Sequence, residues 1–498
     1  MRRVAGSITV LVSGWLLVAC SSQAAAPDSA RSLAAARELD GKPMTPCLIQ
    51  GEIPVKAEVP GFCGTLSVPE DRSDPGGRRV GLHVAVVPAV ATAPRSDPFF
   101  AIAGGPGDAS TGFFAWLPGL YASVHATHDI VLVDQRGTGA SNELMLPAMP
   151  DTSTLAATEA DARLSAWMRE SLAALDADPR LYTSTVAADD LDAVRAALGY
   201  DQIDLYGTSY GGTLAQYYLR QHADHVRIAV LDGATPLDVP VLERMAANSQ
   251  HALDLVVARC AADAACSAAF PRLADEWSTL AAQLATGLTT DVVNPQTGEH
   301  AVADLLVVGP SIHNALLTGS AAAQLPLAIH LAYENRWGPA TQLVPAPPTG
   351  GPSLLMADEI LCSEAWAHFD PSEVARAGAG SYALPMELAR AQAQATMCRY
   401  LPKGVVPADD ASAVRTSIPI LWLTADGDPQ DPPANLMAVP SQEPNSRIVV
   451  MPAQEHVVGH LGCGPAVIAS FVEAGTANGL DTSCVAQGAA PSPTFRLP

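Results

Sequence analysis

The run Ile203-Asp204-Leu205-Tyr206-Gly207-Thr208-Ser209-Tyr210-Gly211-Gly212 decides the fold, together with the segment Thr213–Leu219 that follows it. Its short apolar start predicts a strand, and the segment after the glycines predicts a helix. Between them the residues match GxSxG, a sharp turn whose glycines leave no room for a Cβ. A GxSxG match alone can arise by chance, so the prediction of this turn depends on the strand before it and the helix after it. The sequence predicts that Ser209 stands at the apex of this turn.

A serine hydroxyl becomes a useful nucleophile when a base takes its proton, which in proteins is most often a histidine. In the α/β-hydrolase fold, where this turn is found, the triad follows the chain order serine, acid, histidine. Two histidines, His456 and His460, lie beyond the late predicted strand Ile418–Leu423. His456 follows the predicted strand Ile448–Met451 after a short loop, so we expect it to be the base.

Three aspartates compete for the acid that orients the histidine. Asp426 and Asp428 both follow the predicted strand Ile418–Leu423, and their positions do not separate them. Asp431 precedes two prolines, where a turn-forming role is expected.

Acyl transfer also needs backbone donors for the oxyanion. In this fold they are the residue after the serine and a residue of an earlier strand-to-helix loop. These positions are Tyr210 and, in the Gly104-Gly105-Pro106-Gly107 loop after the predicted strand Phe99–Ala103, Gly105.

Short apolar runs alternate with helix-like segments, which predicts an α/β fold with a mostly parallel central sheet flanked by helices. The division we predict is a signal segment (1–20), a flexible tether (21–45), a core in two parts (46–235 and 416–485), an inserted helical lid (236–415) and a loose tail (486–498). Residues 236–415 are called the lid segment below.

The first residues have the features of a targeting segment. Arg2 and Arg3 precede the apolar stretch Val4–Ala19, which is short for a membrane span. Leu17-Val18-Ala19-Cys20 resembles the bacterial lipobox, in which the cysteine is lipidated and becomes the mature N-terminus. We therefore expect an extracytoplasmic protein that is anchored to the cell envelope through lipid on Cys20.

The cysteine count agrees with export. Setting Cys20 aside, eight of the 9 cysteines remain, an even number that suits an oxidising compartment. Proximity in the sequence predicts the disulfides Cys47–Cys63, Cys260–Cys266 and Cys463–Cys484, which leaves Cys362 for Cys398.

Charge and composition exclude other classes of protein. With 28 basic and 51 acidic residues the formal net charge is -23, the opposite of what nucleic-acid binding requires. The cysteines have no paired CxxC spacing, so no metal is expected. Neither a cofactor nor an oligomeric state is indicated.

Several motifs together resemble the proline iminopeptidase and tripeptidyl aminopeptidase-like serine peptidases. They are Cys63–Asp71, the GGPG loop, Asp134–Gly139, the GTSYGG turn, Asp428-Pro429 before Pro432-Pro433, and Gln454-Glu455-His456. The resemblance selects Asp428 as the acid and His456 as the base. It implies peptide substrates with free N-termini, whose ammonium group Glu364, or less favourably Glu359, would bind. An esterase with the same triad and an inactive peptide-binding lipoprotein are the alternatives.

The lipid anchor gives the first testable prediction. Replacing Cys20 by Ala removes the residue that is lipidated, so the protein is expected to move from the membrane fraction to the soluble fraction and to lose incorporation of radiolabelled palmitate. Cys47→Ala, which leaves the lipobox intact, is the control. Unchanged fractionation of Cys20→Ala, with no palmitate in the wild type, would refute the anchor.

Overall fold

The computed structural model describes residues 37–51, 58–114, 118–152, 155–293, 300–346, 353–486 and 495–497. The predicted signal segment, with Cys20, and the predicted tether up to residue 36 lie outside the described residues.

One sheet of nine strands forms the centre of the structure. Its strands are β1 (Thr45–Gln50), β2 (Glu58–Pro69), β3 (Arg79–Val87), β4 (Phe99–Ile102), β5 (Ile130–Val133), β6 (Ile203–Thr208), β7 (Val226–Asp232), β8 (Ile420–Ala425) and β9 (Ser446–Met451). Their spatial order is β9-β8-β7-β6-β4-β5-β3-β2-β1. The pairs from β9 to β5 are parallel and those from β5 to β1 are antiparallel.

The central strands are buried on both faces, which is why they are short, nearly continuous apolar runs. All residues of β4, β5, β6 and β8 are buried. The seven observed strands β3 to β9 agree to within two residues at each end with the apolar runs that the sequence predicts as strands. These runs are Val80–Pro88, Phe99–Ala103, Ile130–Val133, Ile203–Tyr206, Ile228–Asp232, Ile418–Leu423 and Ile448–Met451. The expected mostly parallel α/β sheet is confirmed.

Helices cover both faces of this sheet and form the lid segment. In chain order they are α1 (Ser110–Phe114), α2 (Pro118–His125), α3 (Ala157–Ala173), α4 (Ser184–Ala197), α5 (Tyr210–Gln221), α6 (Val241–Ala262), α7 (Ala264–Ala269), α8 (Leu273–Leu284), α9 (Leu305–Leu316), α10 (Gly319–Ala322), α11 (Leu325–Tyr333), α12 (Trp337–Leu343), α13 (Leu355–Ile360), α14 (Pro371–Ala377), α15 (Leu384–Tyr400), α16 (Val439–Gln442), α17 (Gly464–Ala474) and α18 (Ser483–Ala486). A π-helical turn, Leu361–Ala365, continues α13.

Two apolar clusters lie on opposite faces of the sheet. One contains side chains of α3, α4 and α5, and the other contains side chains of α1, α2 and α17. A third cluster, formed by α6 to α12 with part of α15, lies within the lid segment. Since burial of apolar area is the main favourable term in folding, the lid segment has its own source of stability. It also contains a hairpin, Leu288–Val293 with His300–Ala303, where only helices were expected.

Both ends of the described chain are more ordered than predicted. The expected tether includes residues 37–45, yet Leu39 is buried in the core and Arg37 forms an ion pair with Asp129 at 2.8 Å. In the expected loose tail, the N–H of Arg496 donates to the carbonyl of Ala323 at 3.0 Å, and Phe495 packs on the lid cluster. Apolar burial and charge pairing at these positions explain both corrections.

The structure contains the four predicted disulfides, Cys47–Cys63, Cys260–Cys266, Cys362–Cys398 and Cys463–Cys484. Within the part of the chain that the structure describes, none of the helices combines the length and apolar character needed to cross a membrane.

Candidate active site

The turn around Ser209 has a strained backbone that its surroundings hold in place. Ser209 lies between β6 and α5 with φ 53° and ψ -125°, in the positive-φ region that non-glycine residues rarely adopt. Its N–H donates to the carbonyl of Asp232 at 2.9 Å. A Cβ at Gly207 would collide with the carbonyl of Gly211, and a Cβ at Gly211 with that of Ile102. The two glycines are therefore required by this tight packing.

Three side chains from separate loops meet at this turn. His456 Nε2 lies 2.9 Å from Ser209 Oγ, and His456 Nδ1 lies 2.9 Å from Asp428 Oδ2. Because a carboxylate accepts, Nδ1 carries the proton of the neutral imidazole, in which Nε2 can accept from the serine hydroxyl. Asp428 is fully buried and its other oxygen accepts from the N–H groups of Gln430 and Asp431. The arrangement is a continuous hydrogen-bond chain from carboxylate to hydroxyl.

The electrostatics of this chain favour the protonated imidazole. Burial by itself lowers the pKa of His456, but the charge and hydrogen bond of Asp428 outweigh it and raise that pKa to about 9. Asp431 and Asp232 act in the same direction. An imidazole that is readily charged is suited to taking a proton from a neighbouring hydroxyl.

The geometry separates the aspartates that spacing left open. Asp426 points to the lid segment, where it accepts from Arg259 Nη2 at 2.6 Å. Asp431 lies near the imidazole, with Oδ2 3.8 Å from His456 Nδ1, and its other oxygen accepts from Thr235 Oγ1. Burial, followed by the charge of Asp428, raises the pKa of Asp431 to about 7. The sequence predicted a turn-forming role for Asp431 because two prolines follow it, and so did not indicate that a second carboxylate lies beside His456.

Asp232, at the carboxyl end of β7, is a further residue that motif analysis missed. Its carboxylate accepts from the N–H groups of Val458 and Gly459, both at 2.7 Å, and from the hydroxyl of Tyr206 at 2.8 Å. Val457 between His456 and these amides has φ 71°, a conformation unfavourable for a β-branched residue. The sequence did contain one sign of this role, because Asp232 is a charged residue at the carboxyl end of a buried parallel strand, and ligand sites of such sheets form at those ends.

The predicted oxyanion donors border the same site. Tyr210 is the first residue of α5, so its N–H has no acceptor within the helix. Gly105 has φ 110° and lines the cavity above Ser209 together with Tyr210. A Cβ on the preceding Gly104 would lie 2.9 Å from the Cβ of Ser209, so this loop approaches the turn closely.

A cavity of about 540 Å³ opens beside Ser209. Its walls come from the Gly105 loop, the start of α5, the lid segment and the loop after β8. Five carboxylates line it, against one arginine, Arg390, and one histidine, His368. These carboxylates are Asp238, Glu243, Glu364, Asp410 and Asp431. The cavity is therefore rich in acidic groups.

The two predicted ammonium-binding residues occupy different environments. Glu364, on the π-helical turn, lines the cavity; its two oxygens accept from the N–H and the hydroxyl of Ser184, each at 2.7 Å. Burial raises its pKa to about 7. Glu359 is fully buried, accepts from Ser363 Oγ at 2.6 Å and does not line the cavity. The carboxylate that a substrate in the cavity can meet is that of Glu364.

Three groups of described residues lie close enough together to bind a metal ion: Asp192 with His222 and His225, Asp97 with His128 and Asp204, and Asp428 with Asp431 and His456. In the first two an arginine already neutralises the carboxylates, Arg195 beside Asp192 and Arg227 beside Asp97 and Asp204. The third is the hydrogen-bonded group at Ser209. The carboxylates in all three groups thus have partners, whereas in the second group the buried His128 Nε2 has no hydrogen-bond partner among the described residues and lies 3.5 Å from Asp97 Oδ2.

By name, the curated relatives of this chain include a serine protease, a tripeptidyl aminopeptidase and a carboxylesterase. Serine protease Hip1 of Mycobacterium tuberculosis is 30% identical over 250 residues, covering 45% of this chain and 46% of that protein. Tripeptidyl aminopeptidase of Streptomyces lividans is 29% identical over 186 residues, 34% of each chain. Carboxylesterase B of Mycobacterium tuberculosis is 34% identical over 233 residues, covering 41% of this chain and 42% of that protein. The chain matches less than half of each relative's length.

A solved structure, the proline iminopeptidase of Mycobacterium smegmatis, aligns with 83% of this chain and 98% of its own, at 16% identity and a TM-score of 0.35. The family model for the alpha/beta hydrolase fold matches residues 97–462. That match covers more than half of the chain, from just before β4 to beyond the loop that carries His456. The chain therefore belongs to the α/β-hydrolase family.

Proposed function

We propose that this protein is a serine hydrolase that acts through an acyl-enzyme, with Ser209 as nucleophile, His456 as base and Asp428 as the acid that orients the base. The observation that carries the proposal is the hydrogen-bond chain, 2.9 Å at each step, from Asp428 through His456 to Ser209. Its location at a GxSxG turn with a positive φ supports the same assignment.

The geometry supports a two-step reaction. Ser209 Oγ attacks the substrate carbonyl carbon while His456 Nε2 accepts the hydroxyl proton, and Asp428 stabilises the resulting imidazolium. The backbone N–H groups of Tyr210 and Gly105 donate to the oxyanion. His456 then gives its proton to the leaving group. In the second step water, deprotonated by His456, attacks the acyl-enzyme and releases Ser209.

The proposed substrates are peptides with a free N-terminus. An ammonium group is favoured in a cavity with five lining carboxylates and one arginine, because their combined field attracts cations. A carboxylate has about four lone-pair sites, so Glu364 retains acceptor capacity beyond its bonds to Ser184. Relatives named serine protease and tripeptidyl aminopeptidase support peptide hydrolysis.

We further propose that the protein works outside the cytoplasm, anchored by lipid at Cys20. The four disulfides support an oxidising compartment, since such bonds persist there and are rare in reducing cytosol.

An esterase with the same catalytic residues is the second candidate. The observation that favours it is the relative named carboxylesterase B, which is 34% identical over 233 residues. Both candidates share the acyl-enzyme and differ in the bond that is cleaved.

The nucleophile is tested by active-site labelling. A fluorophosphonate probe is expected to label the wild type and not Ser209→Ala, whose kcat falls by about 10⁶-fold as in serine hydrolases that lose the nucleophile. The exposed Ser441→Ala is the control and should label normally. Turnover of tripeptidyl nitroanilide against nitrophenyl butyrate separates peptidase from esterase. A folded wild type that resists the probe contradicts the whole mechanism.

The pH profile tests the pair of His456 and Asp428. His456 must be neutral to accept a proton, and its pKa is raised, so kcat/KM is expected to increase with pH until about 9. In Asp428→Asn the imidazolium loses its carboxylate partner, its pKa falls, and the rising limb moves to lower pH. Because the tautomer is then wrong, kcat should fall by about 10⁴-fold.

The control for this profile is Asp176→Asn, because the Asp176 side chain is 98% exposed and lies away from the site. It should keep the wild-type limb. If the rising limb of the kcat/KM profile lies at the same pH in Asp428→Asn as in the wild type, a group other than His456 causes it.

Glu364→Gln tests recognition of the ammonium group. A hydrogen bond to a charged group contributes about 1.5–3 kcal/mol, so kcat/KM for free N-terminal peptides should fall about 10- to 100-fold. N-acetylated peptides lack the charge and should be hydrolysed at unchanged rates. Glu373→Gln is the matched control, because this half-exposed carboxylate on α14 pairs with Arg376 and does not line the cavity. Equal effects on both kinds of peptide would exclude this role for Glu364.

A further inference from the structure

The loop that carries His456 is attached to the lid segment at two separate places. Three consecutive residues, Gln454, Glu455 and His456, each make a hydrogen bond to it through a side chain or the backbone. In sequence the lid segment ends well before this loop, so these contacts are purely tertiary.

The first attachment is through Gln454, whose side chain is almost fully buried. Its Nε2 donates to the carbonyl of Gly427, at 2.6 Å, and to that of Ala252 on α6, at 3.0 Å. Its Oε1 accepts from Arg259, also on α6, at 2.5 Å. Gln454 therefore links α6 of the lid segment to the loops that bear His456 and Asp428.

The second attachment is at the turn between α9 and α10. Glu455 Oε2 accepts from the N–H of Gly319 at 2.8 Å, and the N–H of His456 donates to the carbonyl of Leu317 at 3.0 Å. Glu455 is the only side chain in this pair of bonds; it is half-buried, and this burial raises its pKa to about 7. The lid segment thus contacts the backbone of His456 itself.

On the other side of His456 the loop is strained. Val457 has φ 71°, and Asp232 holds the two amides that follow it. Positive φ at a β-branched residue persists when its surroundings over-determine it. The backbone of His456 is therefore fixed on both sides. Asp232 of the sheet binds the amides that follow it, and Glu455, which precedes it, binds the lid segment at Gly319.

We propose that the lid segment positions His456 for catalysis, with Glu455 as the positioning residue that ties the histidine loop to Gly319. The proposal rests on the proposed function, because it assigns His456 the role of base. A displacement of about 1 Å at a reacting group can cost about 10²-fold in rate. The rate therefore depends on the lid segment keeping its contact with the histidine loop. Movement of the turn at Gly319 would then displace the loop that carries the base.

The experiment compares Glu455→Ala, which removes the acceptor, with Glu455→Gln, which keeps an oxygen for the N–H of Gly319. We expect Glu455→Ala to lower kcat and the rate of fluorophosphonate labelling of Ser209 about 10- to 100-fold, with KM little changed. Glu455→Gln should restore most of both rates. Glu373→Ala, which removes a half-exposed carboxylate on α14 that pairs with Arg376, controls for loss of a lid carboxylate.

The same bond can be removed from its other side. Gly319 is the first residue of α10, where proline is tolerated and its missing N–H costs the helix nothing. Thr318 before it is already extended, as a residue preceding proline must be. Gly319→Pro should therefore reproduce the loss seen in Glu455→Ala. Gly319→Ala adds a Cβ and keeps the N–H, so it controls for the added bulk near Gln454 and Glu455.

A double variant separates positioning from general stability. In a His456→Ala background Glu455→Ala should cause no further loss of activity, because the residue it positions is absent. Wild-type labelling rates in Glu455→Ala, or equal losses in Glu455→Ala and Glu455→Gln, overturn the positioning role and leave the proposed function intact. A folded wild type that fails to label overturns both.

Discussion

The hydrogen bond between His456 Nε2 and Ser209 Oγ joins residues 247 positions apart, and the site depends on it. It forms because β6, β7, β8 and β9 are parallel neighbours in the sheet. Their carboxyl ends share one edge, where open α/β sheets place their sites. Ser209 follows β6, Asp428 follows β8 and His456 follows β9, so pairing of the strands brings the three residues together.

Asp232 connects the two strained parts of this edge. Its carbonyl accepts from the N–H of Ser209, and its carboxylate accepts from the two amides after Val457. Both Ser209 and Val457 have positive φ values, which cost free energy unless the surroundings enforce them. One buried residue at the end of β7 thus stabilises the backbone at both members of the reactive pair, through its carbonyl at Ser209 and through its carboxylate after His456.

The lid segment lies between β7 and β8 in the chain, but its contacts reach beyond those strands. It has its own apolar cluster and contributes Glu364 and Arg390 to the cavity beside Ser209. It also contacts the histidine loop through α6 and Gly319. The position of the base therefore depends on packing between the lid segment and the sheet, and recognition and reactivity share a single structural element.

Local patterns in the sequence predicted much of the fold. Buried parallel strands are apolar runs, so β4 to β8 were located closely, and the Ser209 turn was recognisable because its glycines are a steric requirement. Less visible were β1, the order of residues 37–45 and the hairpin within the lid segment. These segments have mixed composition, and their order comes from partners such as Asp129 and the lid cluster.

What the sequence by itself determined is the α/β class, the turn at Ser209 and a short set of residues eligible to assist it, because these follow from periodicity, steric limits and chain order. Spacing left Asp426 and Asp428 open and favoured a turn-forming role for Asp431, and it gave no sign that Asp232 binds the amides after Val457 or that Glu455 binds Gly319. Only the tertiary structure decided those contacts, since they join residues far apart in the chain whose distances are set by strand order and by the packing of the lid segment.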